Sequence, residues 1–305
     1  MKVLITGGAG YIGSELVYFL AQKPEIEQII IYDNLSNANY NLFIGLRKIP
    51  HPEKIKLVKA DILDRRNLQK ALQSVDVVYH LAAYVNTPFS DNNSHQFEQV
   101  NNWGTAQVVD AVEQSEVQKF IFASSVSVYG SSEKKVSESD TLHPKTYYGI
   151  SKMRAEEHVE RLFGKKETHI IRLGNVYGYS KNIRIRAVIN KMMFDANFHN
   201  RIQINGSGNQ KRAFIYMQNT VKVLASFLEN DYSNKTVFNA LDVNASINEV
   251  SVVLKDIFPE LEMIYVNQHL PMRSIEVIPS EDFNFLDLQR DMKQNLLHYK
   301  QMFTF

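Results

Sequence analysis

The chain has 305 residues, 44% hydrophobic and 22% charged, the balance of a globular protein of two domains or one large one rather than of a disordered chain. Its 34 basic and 33 acidic side chains leave a formal net charge of +1, which excludes a bulk electrostatic drive toward nucleic acid or an acidic membrane surface. It has no cysteine, hence no disulfide framework, thiol nucleophile or Cys-ligated metal, and its 9 histidines are scattered without a HExxH-type ligand cluster. The apolar runs fall short of the roughly 18 residues that a membrane helix needs. Glycines at 7, 8, 10 and 13 break the N-terminal apolar stretch that would otherwise resemble a signal peptide, so the expectation is a cytoplasmic protein without a membrane segment.

Taken in chain order, Lys2–Thr6 is a short strand-like run and Ile12–Gln22 a helical pattern. Between them lies Thr6-Gly7-Gly8-Ala9-Gly10-Tyr11-Ile12-Gly13. Here Gly7, Gly10 and Gly13 permit a tight turn and close backbone approach to a pyrophosphate, while Tyr11 and Ile12 open a helix whose free N–H groups and dipole favour anions. Gln28–Tyr32 is a second strand and ends at Asp33, twenty residues after Gly13, where a carboxylate accepts hydrogen bonds from an adenosine ribose. A glycine turn alone also serves packing, but strand, glycine loop, helix, strand and acid in register point to a dinucleotide. Asp33 repels a 2′-phosphate, and no Lys or Arg occurs from Asn34 to Leu46, which favours NAD over NADP.

The rhythm continues with strands at Lys56–Ala60, Val75–His80, Phe120–Ser124 and His169–Leu173, and helical patterns near Arg66–Gln73, Gln96–Gln114 and Tyr147–Phe163. Near-continuous Val/Ile/Leu runs joined by helices predict parallel strands buried on both faces, a doubly wound parallel Rossmann sheet of the α/β class. After Asn175 the pattern changes to a helix near Ile183–Asn197, a strand Arg201–Ile204, a glycine-bearing loop, a strand Phe214–Met217 and a helix Thr220–Leu228. Ser246-Ile-Asn-Glu249 is a capping box opening a helix that stops at Pro259. The expectation is a smaller C-terminal α/β lobe. Residues 1–174 and about 214–240 form the dinucleotide-binding domain, and about 175–213 and 241–305 form the second domain.

Tyr148 and Lys152 are spaced i, i+4 and share one helix face. A tyrosine with its ordinary pKa near ~10 is a poor base, but a neighbouring ammonium and a positive nicotinamide ring favour its phenolate. Tyr177 and Lys181 have the same spacing in a glycine-flanked loop, so spacing alone does not choose. Context favours Tyr148: the strand before it, Phe120-Ile-Phe-Ala-Ser-Ser125, ends in hydroxyls at the ligand edge of a parallel sheet. Ser125 there is placed to hydrogen-bond a substrate hydroxyl as Tyr148 removes its proton, although strand-end serines are also common in turns.

With these motifs in order, the chain resembles the NAD-dependent epimerase/dehydratase family of extended short-chain dehydrogenases/reductases, near its UDP-glucose 4-epimerase branch. The matches are TGGAGYIG (Thr6–Gly13), YDNLSN (Tyr32–Asn37), ADI (Ala60–Ile62), HLAA (His80–Ala83), NNWGT (Asn101–Thr105), SSVSVYG (Ser124–Gly130), YYGISK (Tyr147–Lys152), RLGNVYG (Arg172–Gly178) and GSGNQKRAFIY (Gly206–Tyr216). The resemblance implies a nucleotide-sugar substrate held by the second domain. It implies cofactor contacts at Asn34, Asn37 and Asn101 and at the catalytic Tyr148 and Lys152. It further implies that Asp61 and Ile62 flank the adenine and that the Leu81, Ala82 and Ala83 backbone lines the cofactor. Asn175, Arg212 and Arg273 would hold the sugar diphosphate, a role that suits bidentate guanidinium groups. It also implies a homodimer through the helices near Gln96–Gln114 and Tyr147–Phe163, with Val108, Val109, Val112, Met153, Val159, Leu162 and Phe163 as candidate apolar surface. Three departures fall on the sugar side: Tyr179-Ser180 where the family often has Pro, Asn219 where it has an acid, and no glycine-tryptophan element in Pro279–Phe305.

Related dehydratases and decarboxylases commonly carry an acid two positions before the VYG tyrosine, where this chain has Ser127 preceded by Val126. Water elimination needs that extra proton acceptor and donor. The expectation is therefore C4 epimerisation through a transient 4-keto sugar, with a 4-ketoreductase, a dehydratase or a catalytically silent NAD-binding sensor as alternatives.

Overall fold

Seven parallel strands form one sheet: β1 (Lys2–Thr6), β2 (Gln28–Asp33), β3 (Ile55–Lys59), β4 (Val77–His80), β5 (Lys119–Ser125), β6 (Glu167–Leu173) and β10 (Val237–Ala240). The computed structural model describes residues 1–85, 94–267 and 273–305. The strand order is β10-β6-β5-β4-β1-β2-β3, so the winding reverses between β1 and β4 and opens a crevice at their C-terminal ends.

The strands are apolar on both sides because helices cover both sides. Val3, Ile5, Ile29, Ile31, Tyr79 and Ile121 pack with Leu16 and Leu20 of α1 (Tyr11–Ala21) and Leu224 of α7 (Met217–Glu229). Leu4, Ile30, Val78, Phe120, Phe122 and Ile170 face the other way. They meet Leu68 of α2 (Arg65–Ala71), Val108 and Val112 of α4 (Gly104–Glu113), and Ala155 and Val159 of α5 (Tyr147–Val159). Each such Val, Leu, Ile or Phe side chain contributes about 1.5–3 kcal/mol of burial free energy.

The helix expected over Gln96–Gln114 is not uniform. A one-turn α3 (Ser94–Gln96) runs into a π-helical stretch, Phe97–Trp103, before α4. Polar residues occupy the interior of that stretch: Asn102 donates to Glu98 Oε2 at 2.9 Å and accepts from His158 Nε2 at 2.9 Å, and Asn101 reaches the site described below. Val108, Val109, Val112, Val159 and Leu162 are all buried within the chain, so they leave no surface for a partner. The large apolar side chains exposed near the α4–α5 pair are Trp103 and Tyr147, at 58% and 46%.

Beyond β6, the strands β7 (Asn175–Tyr177), β9 (Lys211–Tyr216) and β11 (Val243–Ser246) form a three-stranded sheet with β9 central. β8 (Arg201–Asn205) pairs in parallel with β12 (Glu262–Val266). These enclose a separate core with α6 (Val188–His199), α8 (Ile247–Ile257) and α9 (Met292–Lys300), built on Ile189, Met193, Ile204, Phe214, Val250, Leu254 and Leu296. The Ser246–Glu249 capping box is present in both directions, at 3.1 and 2.7 Å. Three expectations need correction. Residues 183–187 are loop, and α6 begins at Val188 because Ala187 is extended. β9 starts at Lys211, and Met217 already belongs to α7. Tyr177 lies in a strand rather than a loop. Among the described residues no helix is long and apolar enough to cross a membrane.

Candidate active site

The glycine turn sits where β1 and β4 diverge. Gly7 adopts φ +69°, and a Cβ there would lie 2.7 Å from the Ala82 N and Cα. A Cβ on Gly13 would lie 2.3 Å from the Gly7 carbonyl oxygen. These cradles are closed to any side chain. Helix α1 begins at Gly10 with no side-chain cap, which leaves its first-turn N–H donors for an anion. By contrast α2 and α5 are capped by Asp64 and Thr146.

Asp33 ends β2 with Oδ2 accepting from the Ala9 N–H at 3.0 Å and Oδ1 from the Leu35 N–H at 2.8 Å. Burial pushes its carboxyl pKa up, and these two donors pull it back down. Asn34 Nδ2 donates to Asp61 Oδ2 at 2.8 Å, and Tyr32 OH donates to the Asp61 carbonyl at 2.9 Å. Asn34, Asp61 and Ile62 therefore meet at one end of the crevice, while Asn37 is exposed on a turn whose Leu35 and Ala38 take positive φ. A dinucleotide fits this donor set, with phosphates at α1 and a ribose at Asp33.

The Leu81–Ala83 segment is held by a directional relay. The Ala82 N–H donates to Thr6 Oγ1 at 3.3 Å, Thr6 Oγ1 pairs with His80 Nδ1 at 2.6 Å, His80 Nε2 with Thr105 Oγ1 at 2.9 Å, and Thr105 donates to the Asn101 carbonyl at 2.6 Å. An amide can only donate and a carbonyl only accept, so the chain assigns the proton of His80 to Nε2. Burial, with the Lys152 charge adding to it, pushes the His80 pKa down to about 3. Asn101 closes the frame: its amide donates to the Tyr84 carbonyl at 3.0 Å and Ser151 Oγ at 2.9 Å and accepts from the Tyr84 N–H at 2.7 Å.

Tyr148 lies in the first turn of α5 with its hydroxyl beside that of Ser125, whose Oγ donates to Ser127 Oγ at 3.1 Å. Burial holds the phenol above its ordinary pKa, opposed first by the Arg184 charge and then by the Ser125 hydrogen bond. Lys152 is 2% exposed with its ammonium 4.3 Å from the Phe122 ring centroid. Burial lowers it to about 7, opposed by Glu156. The rival pair is separated from these groups: Tyr177 is buried against Asn295, and Lys181 Nζ donates to the Ile44 and Arg47 carbonyls at 2.8 and 2.7 Å.

On the sugar side, Asn175 opens β7 and donates to the Ala213 carbonyl at 3.0 Å. Arg212 donates to the Arg273 carbonyl, and burial plus the Arg273 charge lower its pKa. Two neighbouring guanidinium groups suit a diphosphate. Pro271 and Met272, which precede Arg273, lie outside the described residues. The acid missing at Asn219 has a counterpart in Asp242, whose Oδ2 accepts from the Tyr216 N–H at 2.7 Å.

Sequence reasoning missed the loop after β7. Tyr11 OH donates to the Gly178 carbonyl at 2.8 Å, Ser180 Oγ to the Tyr11 carbonyl at 2.8 Å, and Asn182 Nδ2 to the Ala9 carbonyl at 2.8 Å. Asn190 accepts from the Gly178 N–H at 2.9 Å and donates to Tyr11 OH at 2.9 Å and the Arg184 carbonyl at 3.0 Å. The polar run Ser180–Asn182 was the available signal for a loop fastened to the glycine turn.

Fold and site together define an NAD-binding enzyme of the extended short-chain dehydrogenase/reductase type. The model of the NAD dependent epimerase/dehydratase family matches residues 3–240, and the chain belongs to this family. A putative UDP-glucose 4-epimerase of Methanocaldococcus jannaschii is 32% identical over 260 residues, covering 83% of this chain and 81% of the relative. A dTDP-D-glucose 4,6-dehydratase of Dictyostelium discoideum is 31% identical over 280 residues, covering 82% of this chain and 62% of the relative. Among solved structures, the UDP-glucuronic acid 4-epimerase from Bacillus cereus in complex with UDP-glucuronic acid and NAD superposes with a TM-score of 0.84 at 25% identity, over 99% of this chain and 98% of that one.

Proposed function

We propose that the chain is an NAD-dependent epimerase acting at C4 of a nucleotide-diphosphate sugar, with UDP the favoured nucleotide because the relatives named above include enzymes of UDP-sugars. The observation that carries this reading is the Ser125–Tyr148 hydroxyl pair at the C-terminal end of β5, with Val126 and Ser127 beside it in place of an acid. Ser125 orients the C4 hydroxyl and Tyr148 takes its proton. The 4-keto sugar then turns in the pocket, and Tyr148 returns the proton after hydride reaches the other face. When bound, NAD supplies the hydride acceptor and donor. Its phosphates would lie at α1, its adenosine between Asp33, Asn34, Asn37, Asp61 and Ile62, and the rest along Leu81–Ala83, Asn101 and Lys152. Residues 1–174 with about 214–240 serve the cofactor. Asn175, Arg212 and Arg273 of the second domain hold the sugar diphosphate. The enzyme works in the cytoplasm as a homodimer with Trp103 and Tyr147 at its interface.

NMR of UDP-, dTDP-, GDP- and CDP-hexoses incubated with the protein and NAD tests the reading. C4 inversion of at least one is expected, with a loss of more than ~100-fold in Tyr148→Phe while NAD stays bound. A 4-keto-6-deoxy product would identify a dehydratase, and NAD binding without turnover of any sugar would identify a sensor.

A further inference from the structure

Asn190 lies in the first turn of α6 and is fully buried, although its neighbours Ile189 and Met193 build an apolar core. A buried amide is costly there unless its polar atoms are paired, and both are. Oδ1 accepts from the Gly178 N–H at 2.9 Å, and Nδ2 donates to Tyr11 OH at 2.9 Å and to the Arg184 carbonyl at 3.0 Å. Tyr11 OH closes a ring by donating to the Gly178 carbonyl at 2.8 Å. Gly178 is thus gripped at both polar atoms, from α6 and from α1. These helices belong to different cores: α1 packs on the main sheet through Leu16 and Leu20, and α6 packs in the second lobe through Ile189 and Met193. The ring also joins the two sides of the crevice. Tyr11 follows Gly10, where the first-turn donors of α1 are left for an anion. Gly178 follows β7, whose Asn175 donates to the Ala213 carbonyl beside Arg212. Ser180 and Asn182 fasten only their own loop to the Tyr11 and Ala9 carbonyls, whereas Asn190 brings in α6 itself.

We infer that Asn190 is a positioning residue, joining the turn that takes the cofactor to the segment that takes the sugar diphosphate so that both ligands are held in one frame. The inference rests on the reading of the chain as a nucleotide-sugar epimerase. An enzyme that lets a 4-keto sugar turn must keep sugar and cofactor in fixed relation meanwhile, and a misplacement of about 1 Å costs about 100-fold in rate. Asn190 acts through Tyr11 and Gly178 rather than on the reacting atoms. A ligand that orders one end of the ring also orders the other, so the second ligand pays less to bind.

Calorimetric titration of NAD into the protein, with and without saturating UDP, reads this coupling. UDP should tighten NAD binding by about fivefold or more in the wild-type protein and by less than about twofold in Asn190→Leu, which fills similar space without the three hydrogen bonds. NAD affinity without UDP should stay within about threefold in that variant. Tyr11→Phe should lose the coupling to the same extent and the double variant no further, because both changes break one ring. With the UDP-hexose that turns over in the NMR screen, kcat of Asn190→Leu should fall by about 10–100-fold while KM stays within about threefold. Equal coupling in wild type and Asn190→Leu overturns the inference, as do additive losses in the double variant or an unchanged kcat. Should Asn190→Leu fail to fold in a thermal melt, Tyr11→Phe, which removes one hydroxyl, decides. Wild-type protein that binds no UDP would overturn the UDP-sugar reading and the inference with it, an outcome distinct from lost coupling.

Discussion

Replacing Glu156 tests how the site is held from behind. Glu156 and Arg172 are 2% and 5% exposed, and the guanidinium donates to both carboxylate oxygens at 3.1, 3.2 and 2.7 Å. Ser124 adds a further donor to Glu156, and Arg172 also donates to Tyr129 OH at 2.8 Å. Charges about 4 Å apart attract by about 4 kcal/mol at an effective dielectric near 20, but both have left water to do so. Removing one partner leaves the other charge buried and unpaired. Glu156→Gln should therefore cost about 3–5 kcal/mol in urea unfolding. Glu156→Leu with Arg172→Met should cost less than either single change, because only the Ser124 and Tyr129 hydroxyls and the Glu138 carbonyl then lose a partner, at about 1 kcal/mol each. Glu156 is also one turn from Lys152 and opposes its desolvation, so Glu156→Gln should lower the Lys152 pKa further below about 7. A cost of Glu156→Gln below ~1 kcal/mol, or a double variant as unstable as the sum of the singles, would refute the reasoning.

Gly13→Ala places a Cβ 2.3 Å from the Gly7 carbonyl oxygen and 2.7 Å from the Gly8 Cα, so the turn must open, and calorimetry should show NAD binding weakened by about tenfold or more. Asp242 is raised to about 6, chiefly by burial, and its Oδ1 has no partner among the described residues. Because the folded state binds the extra proton, stability falls as pH rises from about 4 to 6 and stays lower above. Asp242→Asn should remove that fall, gaining about 2–3 kcal/mol at pH 7 in urea unfolding and nothing near pH 4; parallel curves for the two proteins would contradict this. Trp103→Glu should convert a dimer to a ~35 kDa monomer by light scattering without changing NAD affinity, and a wild-type monomer at micromolar concentration would end the dimer proposal.

The first six main-sheet strands were legible because a strand covered by helices on both faces must be apolar along its whole length. The boundaries of β1 and the α8 capping box were readable to the residue for local reasons, a glycine turn and a reciprocal cap. The short strands β7, β10, β11 and β12 carry no such run, since their partners come from distant segments. Val136 bridging Val277, and the Asn239 N–H donating to Ser280 Oγ at 2.8 Å, show how these parts are assembled from pieces far apart in the chain. Asp33, Ser125 and Tyr148 stood out in the sequence because each ends or opens an element beside the crevice. The loop contacts of Asn182 and Asn190 gave no signal because a fastened loop has no periodicity, and its apolar Ile183 and Ile185 imitate the start of a helix.

Helix α5 explains why the chemical residues stood out although their burial did not. Gly149, Ser151, Lys152, Ala155, Glu156 and Val159 are its buried residues, so three polar groups lie inside where an amphipathic pattern would put apolar ones. Each has a partner from another element or turn: Asn101 for Ser151, the Phe122 ring for Lys152, Arg172 and Ser124 for Glu156. One attachment on nearly every turn of that face fixes the rotation of the helix and so the direction in which Tyr148 points. A helix held by apolar contacts alone could slip by a fraction of a turn at little cost, whereas slipping here would strand a lysine, a glutamate and an arginine in the core. The i, i+4 spacing of Tyr148, Lys152 and Glu156 thus serves packing and the proposed chemistry at once.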